Sequence, residues 1–249
     1  DLAPELRVVA RYGVGVDAVD RAELGRRGIA LTNTPGANAE TVADFTLLLM
    51  LAALRQLPPA LDGRMPPALA SRELGAMTVG VVGLGRIGRA VARRLQGFGA
   101  TIVAHDPALG PGPDLPDGLD GRLLPLEELA RSADVLTLHA PAGGAPIVDA
   151  GLLADVGPGL VLINAARAEL VDDAALAAAL GDGRVAVAAL DAHHVTPGSP
   201  LHGLPGVLLT PHVAGQSRES VDRMGMLAAG DAVRVLRGEP PAHLVPPPG

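Results

Sequence analysis

The feature that most constrains this chain is a series of short apolar runs alternating with helix-like stretches. The runs are "RVVA" (7–10), "IALTN" (29–33), "TVGVVG" (78–83), "ATIVAHD" (100–106), "DVLTLH" (134–139), "GLVLINA" (159–165), "VAVAALD" (185–191) and "GVLLTPH" (206–212). A strand apolar at nearly every position is buried on both faces, so the pattern predicts an α/β fold with a parallel sheet covered by helices. Amphipathic stretches such as "DAVDRAELGRRG" and "RIGRAVARRLQGFG" supply crossovers. A long apolar helix is expected at roughly 38–55, and a last helix near 217–237, capped by Gly238. "QLPPALDGRMPPALA" (56–70) reads as a linker, "DPALGPGPDLPDG" (106–118) as a surface loop, and the final "PPAHLVPPPG" as extended chain.

Composition narrows the function. The 249 residues suffice for one large or two modest domains. The absence of cysteine removes disulfides, thiolate chemistry and Cys-based zinc sites, and is compatible with a cytoplasmic protein, the expected location. Net charge is −7, all 20 basic residues are Arg without a basic stripe, and aromatics are 1%. Nucleic-acid binding needs phosphate-neutralising charge and, for single strands, stacking rings, so it is disfavoured. The longest apolar stretch, "TLLLMLAAL" (46–54), is about half the ~20 residues of a membrane span. No membrane partner and no secretory signal are expected. The chain opens on Asp1 rather than Met, which is read as residues missing upstream.

"VGVVGLGRIGRAVARRL" places Gly83, Gly85 and Gly88 in G-x-G-x-x-G spacing, between an apolar strand and an amphipathic helix. A second strand ends in Asp106, about 20 residues on, where the dinucleotide fingerprint places an acid. Such a loop turns tightly at the first glycine. It admits a pyrophosphate at the second, packs helix on strand at the third, and offers helix N–H groups to the anion. Asp106 would accept hydrogen bonds from the adenosine ribose, and its charge favours NAD over NADP.

Five runs finish in polar residues: Asp106, His139, Arg167, Asp191 and His212. Carboxyl ends of parallel strands share one ligand crevice, so Arg167 and His212 can meet there. Arg binds a carboxylate through paired hydrogen bonds, and His exchanges protons near neutral pH. Beside a nicotinamide, that pair points to a 2-hydroxy or 2-keto acid. Taken singly, each residue also fits a plain structural role: a loop histidine, a surface charge, a strand cap, an Asx-turn.

These residues carry a resemblance to the D-isomer-specific 2-hydroxyacid dehydrogenases, the family of phosphoglycerate dehydrogenase and glyoxylate/hydroxypyruvate reductase. "RYGVGVDAVD", "NTPGANAETVADFTLLLMLAALR", "GVVGLGRIGRAVARRLQGFGATIVAHDP", "LHAP", "LINAARAELVD", "AALDA" and "LLTPHVAG" resemble its signatures in order, over essentially the whole chain. The resemblance implies a Rossmann-type NAD-binding domain (37–212, with a leading helix) inserted in a truncated flavodoxin-like substrate domain (1–36 and 213–249), commonly a homodimer. It implies that Val14 and Gly15 offer backbone N–H groups to the substrate carboxylate. Arg167 would hold the carboxylate and carbonyl, and His212 would exchange the proton. Asp191 would hold the carboxamide of the cofactor. Gly83, Gly85, Arg86, Ile87, Gly88, Asp106, His139, Ala140, Pro141, Ala165, Arg167, His212 and Gly215 would lie along the NAD.

Three departures stand out. Thr196, before Pro197, occupies the place of the family's catalytic Glu, and no Glu occurs between Glu169 and Glu219. A carboxylate beside His212 would favour imidazolium. Thr supplies no charge, so His212 is expected to be less basic than its counterparts and catalysis impaired. The family's "NxxRG" is "NAARA", with Ala168 for Gly. If that position needs positive φ, the turn carrying Arg167 is expected to be strained. The strands that normally precede "LRVVARYGVGVD" are absent, so the chain is expected to be a fragment or to have its substrate lobe completed by a partner. In "ALDAHHVTP" (189–197), adjacent histidines point apart, a poor arrangement for metal. No metal site is expected. His193 and His194 are read as solvated or supporting, with His194 lending polarity to the crevice. The alternative to an enzyme is a non-catalytic NAD-binding sensor or assembly module.

Overall fold

All eight apolar runs form strands in the computed structural model, which describes residues 3–63, 71–112, 114–193 and 195–247. The chain divides into two units: Asp1–Thr41 with Gly215–Gly249, and Val42–Ala214.

The larger unit holds β3 (Thr78–Val82), β4 (Thr101–His105), β5 (Arg122–Leu123), β6 (Val135–Leu138), β7 (Leu160–Asn164), β8 (Val185–Leu190) and β9 (Val207–Leu209). They make one parallel seven-stranded sheet in the order β5-β4-β3-β6-β7-β8-β9. Alternate residues of each strand face opposite layers. Val79, Val81, Ala104, Val135, Val161, Ile163 and Ala189 pack with α2 (Ala39–Leu54) and α4 (Arg86–Phe98). Val82, Val103, Leu136, Leu138, Leu160, Leu162, Ala188 and Leu190 pack with α5 (Leu126–Ser132), α6 (Ala150–Asp155) and α7 (Asp173–Gly181). Burial on both faces is the reason the strands read as unbroken apolar runs. Strand order reverses direction at β3, between β4 and β6. Such a switch opens a crevice at the carboxyl ends of the strands.

Two sequence expectations need correction. The segment 56–70 is not all linker: Leu57–Leu61 forms a short helix, α3, with proline in its first turn, where a missing N–H costs nothing. Residues 64–70 lie outside the described residues. The loop 106–118 is not merely surface, because Leu115 is buried, as is Leu119 just beyond it, and a 3-10 turn spans Pro116–Gly118. β5 had no apolar run to announce it. It is two residues long and exists by pairing with β4.

In the smaller unit, β1 (Val8–Ala10) and β2 (Ala30–Thr32) pair in parallel, joined through α1 (Arg21–Arg26). The tail adds antiparallel contacts on the other edge of β2. Thr32 bridges Leu244, Asn33 N donates to His243 O at 3.3 Å, and Val245 N donates to Leu31 O at 2.8 Å. α8 (Arg218–Leu236) contacts both strands and carries a buried carboxylate, Asp231, which fixes that tail. Its Oδ1 accepts from Ala242 N at 2.7 Å. Its Oδ2 accepts from His243 N at 3.2 Å and lies 2.9 Å from His243 Nδ1. Removing it takes the shared charged acceptor from three donors of the tail, so Asp231→Ala should lower stability by about 2 kcal/mol in chemical denaturation. Amide exchange at Val245 should accelerate more than at residues of β3.

Candidate active site

The glycine loop is built as its spacing predicts. Gly83 has φ +92°, and a Cβ there would come within 2.7 Å of His139 O, so the first glycine is needed both for its turn and for its approach to β6. A Cβ at Gly88 would collide with the carbonyl oxygen of Gly83, so the third glycine lets α4 close onto the turn. Gly85 differs: nothing lies within 4 Å of where its Cβ would be. It caps α4 with no side-chain hydrogen bond, leaving the first-turn N–H groups facing that open space. Arg86 is exposed at the helix start, and Ile87 is half-buried against the core. This cradle fits a pyrophosphate.

Asp106 follows β4, and its carboxylate is partly occupied by the protein. Oδ2 accepts from Leu84 N at 2.8 Å, and Oδ1 accepts from Ala108 N at 2.9 Å. Two of its roughly four acceptor positions stay open for ribose hydroxyls. At the end of β6, His139 N donates to Val82 O at 2.7 Å, and its Nε2 lies 3.0 Å from Thr137 Oγ1. Burial pushes the His139 imidazole down to about 4, so it is neutral at pH 7. Ala140 packs on the core and Pro141 is exposed.

Beyond β7, Ala165 and Arg167 are partly buried on a turn held by Asn164. That fully buried side chain donates from Nδ2 to Arg167 O at 2.7 Å and accepts at Oδ1 from Ala166 N at 3.0 Å. Arg167 Nη1 donates to Ala166 O at 2.8 Å. The expected strain at Ala168 does not arise. It begins a 3-10 turn and is not among the non-glycine residues with positive φ, so no glycine is required there. Asn164 escaped sequence reasoning. Its signal was a lone amide ending an all-apolar strand.

Asp191, after β8, is buried and accepts three hydrogen bonds: Thr210 Oγ1 at 2.6 Å and Val213 N at 2.9 Å on Oδ1, and Ala214 N at 2.9 Å on Oδ2. The role implied for it, holding a carboxamide, is thus left one acceptor position, on Oδ2. The turn beyond β9 presents His212, which is exposed and has φ +55°. His212 N donates to Asp191 O at 2.8 Å and Thr210 O at 3.0 Å. Since β7, β8 and β9 are neighbours, Arg167 and His212 stand at strand ends on either side of Asp191.

Thr196 is exposed at the head of a Thr-Pro-Gly-Ser turn, with Ser199 N donating to its carbonyl at 2.9 Å and Gly198 at φ +108°. Among the described residues no carboxylate pairs with the His212 ring. His193 is not solvated: it is 6% exposed, with Nε2 3.4 Å from Asp173 Oδ1 at the start of α7. Its place on the core side of the loop, next to buried Ala192, explains the error. His194 lies outside the described residues.

In the smaller unit, Val14 and Gly15 sit on a braced loop. Asn33 Nδ2 donates to Val14 O at 2.8 Å, Arg11 Nε to Gly15 O at 3.1 Å, and Gly13 N to Thr34 Oγ1 at 3.1 Å. None of these bonds uses the N–H of Val14 or Gly15. Gly215 approaches Asn38 closely, where a Cβ would stand 3.1 Å from Nδ2.

His139 gives the larger unit a pH signature. Its folded value lies below the ordinary ~6.5, so its stabilising contribution is complete above that pH and is lost as pH falls towards 4. Between pH 7 and 4.5, wild type should lose about 2 kcal/mol more than His139→Gln in urea unfolding.

Residues 47–214 match the family model described as "D-isomer specific 2-hydroxyacid dehydrogenase, NAD binding domain". A D-3-phosphoglycerate dehydrogenase of Mycobacterium bovis is 40% identical over 247 residues, covering 95% of this chain and 46% of that protein. A glyoxylate reductase of Korarchaeum cryptofilum is 37% identical over 98% of this chain and 77% of its own length. The chain therefore spans about half the length of the mycobacterial relative. Among solved structures, a Thermus thermophilus protein superposes with TM-score 0.87 at 38% identity, over 98% of this chain and 80% of that one. An NADPH-dependent glyoxylate/hydroxypyruvate reductase of Sinorhizobium meliloti, solved with citrate, gives 0.83 at 36%, over 97% and 79%. With the glycine cradle, the strand-end Arg167 and His212, and a model match over most of its length, this chain belongs to the D-isomer specific 2-hydroxyacid dehydrogenase family.

Proposed function

We propose that the chain is an NAD-dependent oxidoreductase that interconverts a small D-2-hydroxy acid and its 2-keto acid. The observation that carries this reading is the placement of Arg167 and His212 at neighbouring strand ends, flanking Asp191, in the sheet that bears the open Gly85 cradle. NAD, when bound, supplies the hydride acceptor or donor. Gly85 and the first turn of α4 would hold its pyrophosphate, and Asp106 its ribose. The Asp106 carboxylate disfavours a 2′-phosphate, which supports NAD rather than NADP as the cofactor.

Arg167 would bind the substrate carboxylate, with the N–H groups of Val14 and Gly15 as further donors. In reduction His212 gives its proton to the keto oxygen. In oxidation the neutral imidazole takes the hydroxyl proton back. Thr196 cannot hold the imidazolium as a carboxylate would, and this underlies the slowed catalysis we propose near neutral pH. The two parallel strands of the smaller unit are consistent with part of a flavodoxin-like substrate lobe. A cytoplasmic homodimer is the assembly proposed. The relatives named for phosphoglycerate and glyoxylate make those acids and hydroxypyruvate the first substrates to try.

The test follows NADH absorbance with glyoxylate, hydroxypyruvate, pyruvate and 3-phosphohydroxypyruvate. Turnover should occur on at least one acid and fall about 100-fold or more in both Arg167→Ala and His212→Ala. Thr196→Glu should raise the reduction rate about 10-fold above pH 7 by restoring a charge beside the ring. Tight NADH binding with no turnover on any acid would instead support a non-catalytic NAD-binding module.

A further inference from the structure

We propose that Thr210 is a positioning residue for His212: its hydroxyl, bonded to the buried Asp191 carboxylate, locks the turn that aims the imidazole. This rests on the dehydrogenase reading above. His212 is exposed, and among the described residues its ring makes no hydrogen bond or ion pair, so its direction is set by its backbone. That backbone sits at φ +55°, a region that L-residues other than glycine visit rarely and hold only where surrounding bonds impose it.

Apart from the local bond from His212 N to Thr210 O at 3.0 Å, the imposing bonds come from Asp191. Its carbonyl accepts from His212 N, and its carboxylate accepts from Val213 N, Ala214 N and Thr210 Oγ1. The segment is thus gripped on both sides of His212. Thr210 is the only side chain among these donors, and at 2.6 Å its bond is the shortest. It also fixes which way the carboxylate faces. Oδ1 must lie towards Thr210 while it receives Val213 N, and this turns Oδ2 towards Ala214 N. With a methyl in place of the hydroxyl, a buried carboxylate loses a donor. It then rotates to recover one, the two amides lose their acceptor geometry, and His212 is free to leave the left-handed region.

The comparison is Thr210→Val, which keeps the shape and removes the donor, against Thr210→Ser, which keeps the donor. The Val variant should lose about 10- to 100-fold in kcat, as expected for a displaced proton donor. Thr210→Ser should return kcat to within about 3-fold of wild type. Amide exchange at Val213 and Ala214 should be about 10-fold faster in the Val variant and near wild type in the Ser variant. Should Thr210→Val fail to fold, Thr210→Ala against Thr210→Ser carries the same comparison. Unchanged kcat in the variant lacking the hydroxyl, or an equal fall in the Ser variant, overturns the proposal. If wild type turns over no acid, the dehydrogenase reading fails on its own. Amide exchange then decides the turn, and unchanged exchange overturns the inference.

Discussion

The buried carboxylate of Asp191 is the interaction on which the carboxyl edge of the sheet depends. A carboxylate at 1% exposure is tenable only if its charge is met by donors, and three converge on it from the segment 210–214. None of those donors is a cation. The charge is balanced by two amide dipoles and a hydroxyl, which makes the site sensitive to geometry rather than to salt. Because Asp191 ends β8 and the gripped segment follows β9, the bond set joins two neighbouring strand ends, and His212 is carried at that junction.

The same economy recurs along the edge. Asn164 ties down the turn that bears Arg167, and Asp106 ties the glycine loop through Leu84 N before any ribose arrives. Each of these three side chains satisfies backbone groups of a turn at the carboxyl edge, its own or a neighbouring strand's. A parallel sheet requires this, since its strand ends leave backbone groups that no neighbouring strand can pair. The consequence is a rigid crevice. Residues that would touch ligands are held by residues whose acceptors are largely taken, and preorganised groups lose little entropy on binding.

How far this was legible in the sequence follows from burial. β3, β6 and β7 are nearly continuous apolar runs because both faces are covered, and their runs locate them almost to the residue. The glycine loop was legible because Gly83 and Gly88 answer steric demands that only glycine meets, while Gly85 leaves the helix start open, and the spacing records all three. β5 was not, because two residues carry no period and form a strand through their pairing with β4 and the bridge from Leu123 to Gly112. α3 was hidden by its prolines, which signal breaks in general yet are tolerated in a first turn. His193 looked solvated because polarity in a loop suggests water, and only the fold shows that its side chain turns inward towards Asp173. The left-handed backbone of His212 was invisible because nothing in "TPHVAG" marks it, and tertiary hydrogen bonds impose it.

Thr196 gains a different meaning in this light. A carboxylate beside a catalytic histidine does two things at once: it orients the ring and it stabilises the protonated form. These functions are separable. The Asp191–Thr210 turn supplies orientation through the backbone, and it does so without charge directed at the ring. Thr196, exposed at the head of its own β-turn, supplies neither. In the function we propose, the chain keeps the turn that aims the imidazole and has Thr196 where a carboxylate would face it. The two losses are distinguishable in principle: absence of a facing carboxylate predicts an effect graded by pH, whereas a misplaced histidine predicts one at every pH.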